Sequence, residues 1–359
     1  MKKLPTFLAG AFLASAFAST AFAADTTTLT YQQAIERALD KSYSLQKAEV
    51  EIERSLEVRN KLGGDLTYTP TSGGDINATK AYAGVQQADI GWQMSKRQYT
   101  LEQDKIAYSV HEAYNTILQA IEDKKAADIS VENAYTQVNA TNYKYMYGLA
   151  SNFENERAQK TYVAAQKTQK SAETALTTAY QKLNELIKLP ANERPTLTDK
   201  VAFEKMPEVD LEAYITRVND QSPQLWLAEK NIDVAISNLN LHTFNLPGSV
   251  PYSSKELEVD KTMLEYSDAK DKVSMLVRAL YNNIRQIEDN YDALKQNLAV
   301  AEQAFKLAQT QFDVGLNTKA ELMEAKKNVE DLEAKLHGLA VQHDNLVLAF
   351  KMPWAYAAK

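Results

Sequence analysis

Between Val273 and Phe312 the sequence reads VSMLVRALYNNIRQIEDNYDALKQNLAVAEQAFKLAQTQF. Its apolar residues recur at alternating steps of four and three, which is a seven-residue repeat. A repeat held this long is typical of a long helix in coiled-coil contact with a neighbour, with a left-handed supercoil. The repeating residues are Val273, Val277, Leu280, Ile284, Ile287, Tyr291, Leu294, Leu298, Ala301, Phe305, Ala308 and Phe312.

The same steps occur earlier in the chain at a constant offset (273 − 106 = 167), interrupted by a single charged residue, Lys124. Two long helices of the same pattern therefore indicate an internal duplication. Each helix is about 60 residues, hence about 90 Å long at 1.5 Å per residue. The earlier series is Ile106, Val110, Ala113, Ile117, Ala120, Lys124, Ala127, Val131, Ala134, Val138, Thr141 and Tyr145.

Each long helix is followed by a Gly-Leu pair, at Gly148-Leu149 and at Gly315-Leu316. The heptads resume after each pair and stop at Pro190 and Pro353, because proline does not continue a helix. A short turn between two long helices makes an antiparallel hairpin. The two glycines suit the left-handed cap that such a turn needs, or they act simply as helix punctuation.

The sequence thus predicts a predominantly all-α fold of two tandem long antiparallel helical-hairpin repeats, with minimal β-strand. The first repeat covers 24–189, the linker 190–209 and the second repeat 210–359. In the first repeat we expect a first helix 31–62, a loop 63–82, a long helix 83–146, a turn 147–151 and a return 152–189. The corresponding spans of the second repeat are 210–241, 242–253, 254–314, 315–318 and 319–351, followed by a loose tail from Trp354 to Lys359.

The segment 1–23 has the pattern of a secretory signal peptide. Lys2 and Lys3 precede a mostly apolar run from Leu8 to Phe17, and Ala21-Phe22-Ala23 is an A-x-A-type cleavage site. The alternative is a membrane anchor, but the apolar run is short for one. No later segment has the ~18 apolar residues of a transmembrane helix. We therefore expect an exported protein.

The residues needed for several chemistries are missing or scattered. The chain has no cysteine and a net charge of -7, which argue against disulfides, thiolate metal sites and nucleic-acid binding. No phosphate loop, nucleophile elbow or metal-ligand spacing occurs, so we expect no enzyme, no cofactor and no metal. The four histidines are His111, His242, His337 and His343; we expect the last to be a partly buried packing residue.

Four motifs resemble the TolC-like outer-membrane efflux protein family. They are the opening LTYQQAIERAL of Leu29 to Leu39, the turns YGLAS at 147–151 and VGLNT at 314–318, and the returns that end in Lys-Leu-Pro and Lys-Met-Pro. The resemblance covers essentially the whole mature chain. It implies a homotrimer, in which four helical strands per protomer form a twelve-strand α-barrel around a tunnel.

The resemblance also implies partners and site residues. A periplasmic adaptor (membrane fusion) protein would meet the two turns and connect the tunnel to an inner-membrane pump. Asn317 stands where some relatives carry an arginine that helps to hold the tip shut. The adaptor-contacting tip would be Gly148, Leu149, Ala150, Ser151, Gly315, Leu316, Asn317 and Thr318.

The family narrows its tunnel near the tip with acidic side chains, and the matching positions here are Glu321 and Glu324. Three copies would form two rings of carboxylates, which attract cations. The alternative is a solvated acidic pair that stabilises the helix dipole. In the first repeat Glu154 matches Glu321, but Arg157 stands in place of Glu324, so the pattern is not duplicated.

One departure from the family concerns the segments between the first helix and the long helix of each repeat. Typical members insert a β-hairpin there, and each membrane strand needs about 9–11 residues. The loops 63–82 and 242–253 are too short and too rich in glycine or proline for two full strands. We expect a reduced or missing barrel, and these loops are the candidate membrane contacts. We expect the protein to be located in the outer membrane or the periplasm.

Three functional hypotheses fit an exported duplicated hairpin. The first is a tunnel component of an envelope-spanning efflux or type I secretion system. The second is a structural coiled-coil scaffold or spacer of the cell envelope. The third, a periplasmic adaptor, would have one hairpin flanked by β-rich segments. The duplication favours the tunnel, while the transported substrate is not encoded in any recognisable motif.

Overall fold

The computed structural model of the chain describes residues 28–70, 75–242 and 250–358. The predicted signal peptide lies outside the described residues. Within them the chain forms nine α-helices and one short parallel strand pair. The elements are β1 (Thr28–Leu29), α1 (Tyr31–Lys41), α2 (Tyr43–Asp65), α3 (Ile76–Met146), α4 (Asn152–Ile187), β2 (Thr196–Leu197), α5 (Leu211–Gln221), α6 (Pro223–Asn240), α7 (Tyr252–Asp313), α8 (Lys319–Lys351) and α9 (Pro353–Ala357).

Two long hairpins dominate the fold, as the heptads predict. Helix α3 has 71 residues and turns back into α4, and α7 has 62 residues and turns back into α8. At 1.5 Å per residue, α3 and α7 are about 105 Å and 93 Å long. The prediction of a predominantly all-α fold with two tandem antiparallel hairpins is confirmed.

The predicted first helix of each repeat is wrong in one respect, because a serine divides it. Ser42 ends α1 and begins α2, and Ser222 does the same for α5 and α6. The backbone is extended at both serines. The Ser42 hydroxyl accepts a hydrogen bond from the Leu45 N–H, and the Ser222 hydroxyl accepts one from the Leu225 N–H. The hydroxyl thereby satisfies a donor that the start of a helix leaves unpaired.

The predicted loop 63–82 is also too long. Helix α2 continues to Asp65 and α3 already begins at Ile76, capped by the Asp75 carboxylate. Gly63 and Gly64 lie within α2 with open space around them, so they do not break the helix. Of the second predicted loop, residues 243–249 lie outside the described residues, and α7 begins at Tyr252.

The predicted loose tail is instead a short docked helix, α9. Pro353 and Ala355 are buried, and the Trp354 Nε1–H donates to Asp104 of α3 over 2.8 Å. The Tyr356 ring lies 6.0 Å from the ring of Tyr108. The tail lacks a heptad, but its aromatic side chains bury enough apolar surface to hold it against α3.

The helices form a row of four strands. Helix α3 packs against α4 and α2 and against α8 and α6, and α7 packs against α8 and α6. Polar contacts place α2 and α6 beside the N-terminal part of α3. Ser55 of α2 is hydrogen-bonded to Ser95 there, and Ser237 of α6 is hydrogen-bonded to Gln86. The order is therefore α2/α4, α3, α6/α8, α7. Its two edges are α2/α4 and α7.

The core repeats with the same offset as the sequence. In the first cluster Val110, Ala113 and Ile117 of α3 are fully buried. In the second cluster their heptad counterparts Val277, Leu280 and Ile284 of α7 take their places. The return helices close these clusters with Ile187 and Phe350. The heptad positions therefore predicted the core correctly.

A second layer surrounds the middle of the row. We call this layer the collar; it comprises α1, α5, α9, the β1–β2 pair and the linker 190–209. Its contacts on α3 include Asp104 and Tyr108, which meet α9, and His111, which meets Tyr31 of α1; steps of four and three keep these three residues on one face. On α7 they fall at Arg278, Arg285, Glu288 and Asp292.

The buried carboxylate of Glu288 connects the collar to the second repeat. Glu288 of α7 accepts the Met206 backbone N–H at 2.7 Å, the His343 ring N–H at 3.1 Å and the Arg285 guanidinium at 2.7 Å. His343, expected to be partly buried, is fully buried beside the Phe203 ring. Burial would raise the pKa of Glu288, but these hydrogen bonds outweigh it and lower the pKa.

We expect Glu288→Gln to lower the free energy of unfolding by about 2 kcal/mol at neutral pH, because three donors lose a charged acceptor. A depressed pKa contributes stability that is present above the ordinary value of 4.5 and lost as the pH falls. The difference in the free energy of unfolding between wild type and variant should therefore shrink below about pH 5. Denaturant unfolding at fixed protein concentration measures it. The exposed neighbour Asp289→Asn is the control. A difference constant from pH 7 to 3 would refute the charge's role.

Candidate functional site: the tips of the hairpins

Both hairpin turns have the same backbone geometry. Gly148 and Gly315 have φ values of +71° and +77°, the left-handed conformation that favours glycine. In the first turn the Gly148 N–H donates to the Tyr145 carbonyl and the Leu149 N–H to the Lys144 carbonyl. The second turn repeats both bonds, which together form a Schellman motif. The predicted left-handed caps are confirmed.

The return helices begin with matching capping boxes. The Ser151 hydroxyl accepts the Glu154 N–H, and the Glu154 carboxylate accepts the Ser151 N–H. Thr318 and Glu321 do the same in the second turn. Sequence reasoning missed this motif, although Ser/Thr followed by Glu three residues later is its usual signal. A Schellman motif followed by a capping box makes each tip a defined, rigid turn.

The tips expose large apolar side chains of different character. At the first tip Met146, Tyr147, Leu149 and Phe153 are each at least 71% exposed. The second tip exposes Val314 and Leu316 to 65% and 78% and has no aromatic equivalent of Tyr147. Contiguous exposed apolar surface is typical of an interaction site. One tip is aromatic and the other aliphatic.

The packing of α3 against α8 brings the two tips together at one end of the molecule. Gln137 Nε2 donates to the Ala320 carbonyl at 3.2 Å. The capping hydrogen bonds lower the pKa of Glu154 and of Glu321, and the charge of Lys144 at the end of α3 lowers both further. Lys144 therefore lies near both return helices. The eight residues predicted to contact an adaptor share one surface, although their contact with a partner stays a prediction.

The two predicted constriction residues make different contacts. The Glu321 carboxylate accepts the N–H and hydroxyl of Thr318, which lower its pKa together with Lys144. Glu324 accepts the amide of buried Asn133 on α3, 2.6 Å away. Both are exposed and close to the tip. Their arrangement in rings stays a prediction.

The seam between the two hairpins carries polar contacts. Lys125 of α3 pairs with Glu330 at 2.9 Å and Glu333 at 3.4 Å on α8, and Gln119 donates to the Ala334 carbonyl at 3.3 Å. The Asn317 amide, in contrast, donates to Gln311 within its own turn. These seam residues lie outside the apolar heptad positions, which is why the heptads did not identify them.

Two properties of the described residues bear on other functions. In 28–70, 75–242 and 250–358, no helix combines the length and apolar character required to cross a membrane. The same residues contain no group of three or more histidines and carboxylates arranged to hold a metal ion. The absence of an enzymatic activity and of a cofactor stays a prediction.

We expect Gly148→Ala to lower the free energy of unfolding by about 1 kcal/mol, because alanine is strained at a positive φ. Gly91→Ala is the control: this glycine lies inside α3 with open space around its Cα, so alanine should raise stability by about 0.5–1 kcal/mol. Thermal or denaturant unfolding measures both. Equal effects of the two changes would contradict the strained-turn assignment.

Comparison with known proteins agrees with this geometry. The family model described as outer membrane efflux protein matches residues 205–348. Among solved structures, the outer membrane protein VceC of Vibrio cholerae is 12% identical, with a TM-score of 0.67 over 90% of this chain and 96% of that one. The open-state MtrE outer membrane channel of Neisseria gonorrhoeae is 15% identical, with a TM-score of 0.68 over 93% of each chain.

A third structure, the CmeC outer membrane channel of Campylobacter jejuni, is 12% identical, with a TM-score of 0.67 over 89% of this chain and 84% of that one. No curated protein sequence matches the chain significantly. At these identities the structures establish the fold, and the family model covers most of the second repeat. The resemblance carried by the sequence motifs is therefore confirmed: the second repeat matches the outer membrane efflux protein family model, and the described residues share the fold of the outer-membrane channels.

Proposed function

We propose that this protein is the tunnel subunit of a homotrimer in an envelope-spanning efflux or type I secretion system. It receives substrates from an inner-membrane pump through a periplasmic adaptor and passes them outward. The observation that carries the proposal is the match between the two free edges of the helix row. Each edge has an exposed surface that the opposite edge of a second copy would cover.

The first edge, α4, has an unfilled depression on its free face. Residues of α4 alone line it: the exposed Val163 and Ala164, together with Glu156, Gln159, Lys160 and Lys167. The depression spans 156–167 and follows the turn glycine Gly148 along the chain. At a rise of 1.5 Å per residue it lies about 12–28 Å from the tip.

The second edge, α7, presents exposed apolar side chains at the same height. Leu307 and Val300 are 58% and 67% exposed, and both precede the turn glycine Gly315. The helical rise places them about 12–22 Å from the tip. A side chain from one helix filling a depression on another is the packing mode of coiled coils.

Three copies joined in this way close a ring of twelve helical strands. With neighbouring axes about 10 Å apart, the tunnel is roughly 35–40 Å across between axes.

The tips give the tunnel its docking surface. The exposed apolar residues around Gly148 and Gly315 suit contact with the hairpin ends of an adaptor, which the family resemblance implies. A closed ring would present six tips, three aromatic and three aliphatic. We place the protein outside the cytoplasmic membrane, in the outer membrane or the periplasm, because of its signal-peptide pattern and family.

A coiled-coil scaffold or spacer is the alternative function. It shares the long helices but needs no closed ring, so oligomeric state separates the two. Paired edges at one height favour the ring.

We expect Leu307→Asp to convert a trimer into a monomer, because a carboxylate would replace an apolar side chain at the centre of the contact. Light scattering of the mature chain measures the mass, and circular dichroism checks that the helices remain. Leu149→Asp is the matched control, since Leu149 is also exposed but lies at the tip. A wild-type monomer would favour the scaffold, and a Leu307→Asp trimer would contradict the proposed contact between the two edges.

We further expect the trimer to bind hexamminecobalt(III) through the rings of Glu321 and Glu324. Calorimetric titration should show this site weakened several-fold in the Glu321→Gln/Glu324→Gln variant, because six carboxylates disappear together. Glu154→Gln is the control, because Glu154 caps its helix in the same way as Glu321 but has no acidic neighbour at 157. Equal losses in both variants would remove the constriction role.

A further inference from the structure

A groove beside α9 has the composition of a ligand site that the tunnel function does not use. It encloses a cavity of about 360 Å³ where α3 meets the α5–α6 junction and α9. Its polar lining includes Gln93, Lys96, Arg97 and Asp104 of α3, Gln221 of α5 and Trp354 of α9. All of these residues belong to one protomer, so the groove exists with or without the ring.

Two cations of the groove are fixed by aromatic rings rather than by carboxylates. The Lys96 ammonium lies 3.6 Å from the centroid of the Trp92 ring, and the Arg97 guanidinium carbon lies 4.4 Å from that of Trp226. In the described parts of the chain, neither cation has a carboxylate within ion-pair distance, whereas their basic neighbours Arg59 and Lys230 do. A cation–π contact orients a charge without neutralising it.

The groove is locally positive in a chain whose net charge is -7. Arg97 lies close enough to Lys230 to act on it electrostatically, although Lys230 is paired with Asp233. Positive potential confined to a groove concentrates anions there. The planar fork of an arginine binds a carboxylate through two parallel hydrogen bonds.

Other lining residues favour a sugar ring. Trp354 is held by its Nε1–H bond to Asp104, so its orientation is set by a polar contact, and its half-buried ring lines the groove. The amides of Gln93 and Gln221 offer both donors and acceptors, as hydroxyl groups require. Asp104 also lines the groove, and its charge opposes a doubly charged phosphate more than a single carboxylate.

The groove faces the collar side of the row. Asp104 lies on the same face of α3 as Tyr108 and His111, which contact α9 and α1. In a closed ring the collar lies outside, because only there is space for a second layer of helices. A large polymer around the tunnel would therefore reach the groove from the surroundings, without entering the lumen.

We propose that this groove binds a carboxylate-bearing saccharide, with Arg97 and Lys96 on the carboxylate and Trp354 against the sugar ring. The two sources of this chemistry are an acidic unit of the cell-wall glycan and an acidic sugar of the outer-membrane surface. The first source is represented by a peptide-free N-acetylglucosamine–N-acetylmuramic acid disaccharide, whose lactyl carboxylate is free, and the second by 3-deoxy-octulosonic acid.

Isothermal titration of the full mature chain with each of these two sugars tests the proposal. Chitobiose is the neutral control of equal ring number, and inorganic phosphate is the control for simple anion binding. We expect one acidic sugar to bind at least about tenfold more tightly than chitobiose or phosphate. Which sugar binds identifies the source.

Variants locate the binding. Arg97→Gln should weaken it about tenfold, and Trp354→Phe, which keeps the ring but removes the Asp104 bond, should weaken it less. Arg194→Gln is the matched control: Arg194 also lies over an aromatic ring of the collar side, that of Tyr180 at 5.1 Å, but does not line the groove. Absence of binding by both acidic sugars, equal binding of phosphate, or equal losses in Arg97→Gln and Arg194→Gln would each overturn the proposal. None of these outcomes depends on trimer formation.

Discussion

The fold depends on the apolar seam that joins each long helix to its return helix. Val110, Ala113 and Ile117 lie at the centre of this seam in the first repeat, and their heptad counterparts occupy the same place in the second. A heptad keeps such residues on one stripe over many turns, so a helix of about 100 Å stays in contact along its whole length. The stripe covers only one side of each helix. The outer sides of the first and last helices of the row, α2/α4 and α7, are therefore left uncovered.

The sequence predicted the parts of the fold that follow from periodicity. Hairpin order, turn positions, left-handed glycines and buried core positions all follow from the spacing of apolar residues and from Gly148, Gly315 and the prolines. Single side-chain hydrogen bonds decided the parts it did not predict. Ser42 and Ser222 divide helices that the predicted spans run through, and Trp354 fixes a tail that has no periodicity.

The candidate site was predictable in position but not in detail. The turn motifs placed the tips correctly, whereas the capping boxes show that Glu321 stabilises its own helix as well as adding charge near the tip. The polar contacts of Lys125 and Gln119 join hairpins that are distant in sequence, so no local pattern predicts them.

The most direct test of the tunnel is a crosslink between its two edges. The chain has no cysteine, so the double variant Val163→Cys/Val300→Cys carries only the two introduced cysteines. The two positions are equally distant from their turn glycines (163 − 148 = 315 − 300), hence at one height, about 22 Å from the tip. A closed ring predicts that mild oxidation yields covalent dimers and trimers and nothing larger on a denaturing gel. Only monomers, or a ladder continuing beyond three, would contradict it.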